Sequence, residues 1–165
     1  MPALGDSPSA GFVIQDKPAI FYKGGVILPK PLDIKVSGIH GFNITPLSIV
    51  RQAKPGEIIA FRHVFENLGN SSEWINFKVK SAPPDSDVKI MAEDQELGGR
   101  MPVQEGAIFN IWVVFKTPDS APLKKSYDVE LMVTGQVKDG DAYYGFDGQL
   151  HGGKDEFTLT DRIQL

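Results

Sequence analysis

The chain has 165 residues, enough for one substantial hydrophobic core and short for two, and its 41% hydrophobic and 23% charged residues are those of a folded chain, not a disordered one. A formal charge of −4, with the lysines scattered, leaves no basic patch for phosphate, so nucleic acid is not expected as a partner. The absence of cysteine excludes disulfides, thiol catalysis and cysteine-ligated metal, and no apolar run approaches the roughly 18 residues of a membrane span.

The first nine residues, Met-Pro-Ala-Leu-Gly-Asp-Ser-Pro-Ser, have neither the basic start nor the apolar centre of a secretory signal. That fits a cytoplasmic protein, or a mature or trimmed form of an exported one. Three short apolar runs follow, at 12–15, 19–22 and 26–28, each closed by Gly or Pro. Proline cannot donate to a central ladder, so these runs read as an extended arm or as edge strands. From Ile34 onward the alternation becomes regular. Residues 58–66 place Ile59, Phe61, His63 and Phe65 on one face; 74–80 place Ile75, Phe77 and Val79 inward; 109–115 and 127–133 repeat the pattern with Phe109, Ile111, Val113, Phe115 and with Tyr127, Val129, Leu131, Val133. Period-two patterning between Gly/Pro turns is the mark of half-buried antiparallel strands, whereas helical spacing is hard to sustain anywhere. The last residues, 157–165, alternate again through Phe157, Leu159, Asp161, Ile163 and Leu165, as a strand added to this sheet or to that of a neighbouring molecule. The resulting expectation is an all-β, Ig-like antiparallel sandwich of about seven core strands with extra N- and C-terminal strands. It divides into an N-terminal arm at 1–33, the sandwich at 34–136, and a C-terminal loop and added strand at 137–165.

Within this frame certain strings carry a resemblance. Thr45-Pro46, then Lys54-Pro55-Gly56-Glu57, then Phe61-Arg62-His63-Val64-Phe65-Glu66-Asn67-Leu68-Gly69-Asn70 are similar to prokaryotic extracellular Ig-like modules with a P-G-E … N-x-G-N signature. Such modules include cell-adhesion-related domains, the conserved repeats of S-layer and cell-wall proteins, and sandwiches appended to secreted glycosidases. The order continues through a strand ending Ser81-Ala82-Pro83, a Gly106-led strand ending Phe115-Lys116-Thr117-Pro118, and the strand at 126–133, so the resemblance spans roughly residues 40 to 135. Its motifs have a physical basis. Pro55-Gly56 makes a tight turn into the strand, and Asn67-x-Gly69 supplies residues that tolerate left-handed angles and hydrogen-bond their own loop on leaving it.

Inward His63 is either a pH switch or ligand, or a core histidine hydrogen-bonded to a loop, and the second is the simpler reading. His40 and His151 lie in separate glycine-containing loops, and no His cluster has the spacing of a zinc or iron site. Asp139, Asp141 and Asp147, with Asp155 and Glu156 available to join them, offer calcium oxygen ligands, although the spacing does not match a twelve-residue calcium loop and a polar hairpin turn explains the same residues. No other cofactor is expected. No nucleophile elbow or phosphate loop is present, and no pair of carboxyls can be assigned across a cleft, so the reading is of a non-enzyme. Asn43 and Asn70 begin N-x-[ST] sequons, and Asn70, in its turn, is the better acceptor. Trp74 and Trp112 face away from the core, as partner contacts or packed beneath an arm.

The extensions decide the functional expectation: a structural subunit that self-assembles into a surface filament, fibre or lattice by strand exchange between copies. The signal peptide would then be removed or lie upstream of Met1. Phe12, Ile14, Ile20, Phe21, Val26 and Leu28 would anchor the arm in its neighbour. The alternative is a carbohydrate-binding or spacer module of a secreted enzyme or adhesin, with a linear aromatic platform. An intracellular scaffold or chaperone sandwich is a third class.

Overall fold

The computed structural model describes residues 11–36, 38–122, 124–136, 142–144, 150–151 and 154–165. Its regular elements are all strands, and among the described residues no helix is long and apolar enough to cross a membrane.

The chain opens with four short strands, β1 (Val13–Asp16), β2 (Ile20–Tyr22), β3 (Gly25–Ile27) and β4 (Leu32–Lys35). Among the described residues they pair only with one another, β1 with β4 and β2 with β3, forming an antiparallel ribbon that doubles back at Lys23-Gly24. The ribbon reaches Lys35, two residues beyond the arm boundary read from the sequence. Next come β5 (Ile39–His40), β6 (Phe42–Thr45), β7 (Ser48–Gln52), β8 (Ile58–Asn67), β9 (Glu73–Ser81), β10 (Asp87–Ala92), β11 (Gln95–Glu96) and β12 (Arg100–Val103). The last elements are β13 (Ile108–Lys116), β14 (Ser126–Gln136), β15 (Ala142–Tyr144), β16 (Leu150–His151) and β17 (Lys154–Gln164).

Two five-stranded sheets carry the core, one ordered β11-β10-β13-β8-β6 and the other β12-β9-β14-β17-β7, while β5 joins β15 and β16 in a smaller sheet. Their neighbours run antiparallel except β7 beside β17 and β5 beside β15. Consecutive strands β6 and β7 sit in opposite sheets, so the chain crosses the sandwich between them, at a cis Thr45-Pro46 bond. The final run is no marginal addition: β17 pairs along its whole length with β14 and on its other side with β7, inside the second sheet of its own chain.

Alternation places the core as the sequence pattern requires. Phe42, Ile44, Phe61, Phe65, Ile111, Val113 and Phe115 come from the first sheet, and Ile75, Phe77, Val129, Leu131, Val133, Leu159 and Ile163 from the second; all are buried. Phe65 is the hub. Its ring stacks on Phe42 at 5.2 Å and on Phe109 at 5.0 Å between centroids, and meets Phe77 edge-on at 6.3 Å.

The motif turns are tied to each other. At Lys54-Pro55-Gly56-Glu57 the chain turns through Gly56 at φ 77°, and Lys54 N–H donates to Glu57 Oε2 at 2.8 Å. Buried Thr117, of the Phe-Lys-Thr-Pro string, brings its hydroxyl to the carbonyls of Lys54 and Glu57 at 2.8 and 3.1 Å. Two strings sixty residues apart therefore form one joint. The other motif makes the expected loop hydrogen bonds but lacks the left-handed angles. Neither Asn67 nor Gly69 has a positive φ. Asn67 instead accepts Gly69 N–H at 2.9 Å and donates to the Gln104 and Ser71 carbonyls at 2.9 and 3.1 Å. Gly69 is required because a Cβ there would collide with the Ile39 carbonyl.

Candidate functional site

Exposed apolar side chains are most concentrated in the arm, although Leu47, Val50, Ile58, Trp74 and Ile108 of the sandwich are exposed too. In β1 and β4 the directly opposed pairs Ile14↔Ile34 and Asp16↔Leu32 share a face, which Phe12 extends; Val13↔Lys35 and Gln15↔Asp33 form the other. Toward the tip both faces are apolar: Ile20↔Ile27 with Tyr22 on one, Phe21↔Val26 on the other. Phe12, Ile14, Ile20, Phe21, Val26 and Leu28, the anchors named from the sequence, are all exposed, Phe21 by 77% and Leu28 by 76%. The sequence reading is of an extended arm or of edge strands built from short runs. The structure has a paired ribbon, which offers a neighbour its side-chain faces together with the outer edges of its strands.

Two buried histidines mark where polar chemistry enters the sandwich. His63, on β8, is fully buried, with Nδ1 2.6 Å from the Pro46 carbonyl and Nε2 2.9 Å from Asp161 Oδ2 on β17. A carbonyl only accepts, so Nδ1 carries hydrogen, and one proton lies between Nε2 and the carboxylate. Asp161 Oδ1 in turn accepts Ile49 N–H of β7 at 3.2 Å. One imidazole thus ties β8, β17 and the strand crossover together across the sheet interface. The loop-bonded core histidine of the sequence reading is what the geometry places here. Its carboxylate partner was missed, although Asp161 at an inward position of the last alternating run was the signal for it.

The second cluster lies where β5 and β6 meet the Asn67–Ser71 turn. Glu73 Oε1 accepts Gly41 N–H at 2.7 Å and lies 3.5 Å from His40 Nδ1, which is 3.1 Å from Ser71 Oγ. Ser71 and Glu73 address the same ring nitrogen, whereas a nucleophile–base–acid relay needs opposite nitrogens. The arrangement is built to satisfy buried groups. Asn70 belongs to it, its Oδ1 accepting Ile39 N–H at 2.6 Å. Asn70, the preferred glycosylation acceptor of the sequence reading, is 6% exposed in the fold, with its Oδ1 held by backbone. Asn43 is on β6, half-buried opposite Glu66. Asp139, Asp141 and Asp147 lie outside the described residues, and among the described residues no cluster of three or more His, Asp or Glu is placed to hold a metal.

The tryptophans occupy different sheets, Trp74 on β9 and Trp112 on β13, with Arg100 4.6 Å over the first ring and Arg62 6.0 Å over the second. They do not align as a linear platform. Across β14 and β17, Arg162 holds Asp128 by two hydrogen bonds of 2.7 and 2.9 Å. That hydrogen bonding, with the guanidinium charge, keeps the Asp128 carboxyl below the usual carboxylate range and raises Arg162 further.

No protein-family model matches the chain, and no curated protein matches it. Solved structures do. The ASH / PapD-like domain of human CEP192 (PapD-like domain 7) superposes with a TM-score of 0.51 at 14% identity, over 74% of this chain and 83% of that one. A family 123 glycoside hydrolase from Clostridium perfringens gives 0.51 at 10% identity over 76% of this chain, which spans only 27% of the hydrolase chain. The E. coli chaperone DraB gives 0.46 at 11% identity over 76% of this chain and 55% of its own. At these identities the likeness is one of fold: the chain is an all-β sandwich of Ig-like, PapD-like architecture.

Proposed function

We propose that this protein is a non-catalytic structural subunit of an extracellular or cell-surface assembly, in which the N-terminal ribbon of one copy engages the sandwich of the next. The observation that carries this reading is the ribbon itself. A two-stranded hairpin is marginal in water unless a third element covers its apolar face, and here the face is present without its cover. A ribbon that docks away from its own body makes a head-to-tail contact, and such a contact propagates into a filament or lattice unless rotation closes it into a ring. The prokaryotic surface-module resemblance of the strings between Thr45 and Val133 supports the same setting. Both histidine clusters support a non-catalytic role, since their polar atoms are directed at backbone and at each other.

The test uses the whole chain. Phe21→Asp with Val26→Asp places charge on one face of the tip without touching the core. Size-exclusion chromatography should find the wild type assembling with concentration and the variant monomeric, at unchanged unfolding midpoint. Equal assembly of the two would rule the ribbon out as the contact.

A further inference from the structure

We infer that the tip of the ribbon is received, on a second copy of the chain, by the groove beside the β10–β11 hairpin; this rests on the assembly reading above. The groove measures about 450 Å³, with a floor of Ala92, Leu97, Met101 and Phe109 and a rim of Glu93 and Asp94. Phe109 is half-buried, stacked on Phe65, so its ring joins the floor directly to the core. Such a concavity takes an aromatic ring with an aliphatic neighbour. Phe21 and Val26, opposed on one face of the tip, are such a pair.

Charge selects the occupant. Residues 11–36 contain four lysines and two aspartates, a net +2, whereas residues 37–165 contain 13 basic and 18 acidic residues, a net −5. At the groove itself Glu93 and Asp94 form the rim and Glu96 is exposed on the adjoining β11, beside one lysine, Lys89, which lies 3.8 Å from Glu96. The tip brings Lys23 at its turn and Lys30 just beyond its last strand, with no acid from Ile20 to Lys30. An apolar, basic tip thus meets an apolar, acid-rimmed groove, two complementary surfaces carried by the same chain. Attraction across such a rim orients the encounter and disfavours the reverse pairing of tip with tip or groove with groove.

Charge exchange in the full-length protein tests the pairing. Glu93→Lys with Asp94→Lys makes groove and tip both basic, and Lys23→Glu with Lys30→Glu makes both acidic; each variant alone should assemble roughly tenfold more weakly than wild type. An equimolar mixture restores opposite charges at every contact and should recover assembly, as should one chain carrying all four changes. All four positions are exposed, so folding is unaffected, and matched unfolding midpoints verify this. Groove reversal without effect, or loss of assembly that the mixture does not restore, overturns the groove assignment. If Phe21→Asp with Val26→Asp breaks assembly while groove reversal does not, the ribbon reading stands and only its receptor is wrong; a wild type that stays monomeric ends both.

Discussion

The arm and the sandwich are written in the same alphabet of alternating apolar residues, yet they end in opposite environments. Phe42, Phe61 and Phe65 are fully buried, whereas Phe12, just before β1, and Phe21 on β2 are 58% and 77% exposed. The difference is what lies opposite. Each sandwich strand has a second sheet facing its apolar row, while the ribbon has only its own partner strand beside it. Alternation therefore specifies that one face wants to be dry. Which molecule dries it depends on the geometry of the rest.

Substitutions on either side sharpen this contrast. The largest effect should come from Phe65→Ala, which empties the aromatic hub and should cost about 3–5 kcal/mol in urea denaturation, against a change within about 0.5 kcal/mol for Phe21→Ala in the arm. Comparable losses at the two positions would mean that the arm packs on its own body.

Next is the His63 tie, where His63→Ala should cost about 3 kcal/mol because it strands a buried carboxylate and a carbonyl. Asp161→Asn should be far milder, since an asparagine can accept from Ile49 N–H and donate to Nε2 of a neutral imidazole whose Nδ1–H still reaches Pro46. A histidine side-chain NMR signal retaining a bonded Nδ1–H in D161N would verify the geometry, and equal damage from Asp161→Asn and Asp161→Ala would refute it. Thr117→Val, which removes the hydroxyl joining the two motif turns, should cost about 1 kcal/mol by the same denaturation measurement.

Smallest of all is the exposed Asp128–Arg162 pair. The Asp128 pKa is lowered on folding, so its stabilisation is full above the ordinary carboxylate range and is lost as pH falls through the lowered folded value. Wild type and Asp128→Asn should therefore converge in stability on the acid side, in unfolding midpoints followed against pH. A gap that widens there would reverse the assigned sign.

Much of the sandwich was legible because period-two patterning leaves few choices: the inward rows from Ile59 to Val133 are the rows the structure turns to the core, with Val79, Phe109 and Tyr127 only partly buried at its margin. The turn motifs were readable as turns, but not as joints, because Thr117 meeting Lys54 and Glu57 is a contact between strands distant in sequence. Gly69 was misassigned for a related reason. A glycine looks the same in the sequence whether it serves a left-handed angle or a close backbone approach, and only the Ile39 carbonyl distinguishes them. The His63–Asp161 pair was half visible, each residue at an inward position on its strand, with the register of β8 and β17 needed to bring them together. The short runs of the ribbon were read as an arm or edge strands without their pairing, because runs of three or four residues carry no sign of their partner and the Lys-Gly turn that joins them appears only in three dimensions. The acid-rimmed groove could not be read at all, since its floor comes from β10–β11, β12 and β13 together.

The claim that the arm serves another molecule is tested most directly by sedimentation velocity on the full chain and on a chain lacking residues 1–36, each over a wide concentration range. The account predicts growing oligomers for the full chain and a folded monomer at every concentration for the shortened one, with the same unfolding midpoint. Assembly that survives the deletion, or a shortened chain that no longer folds, would contradict it.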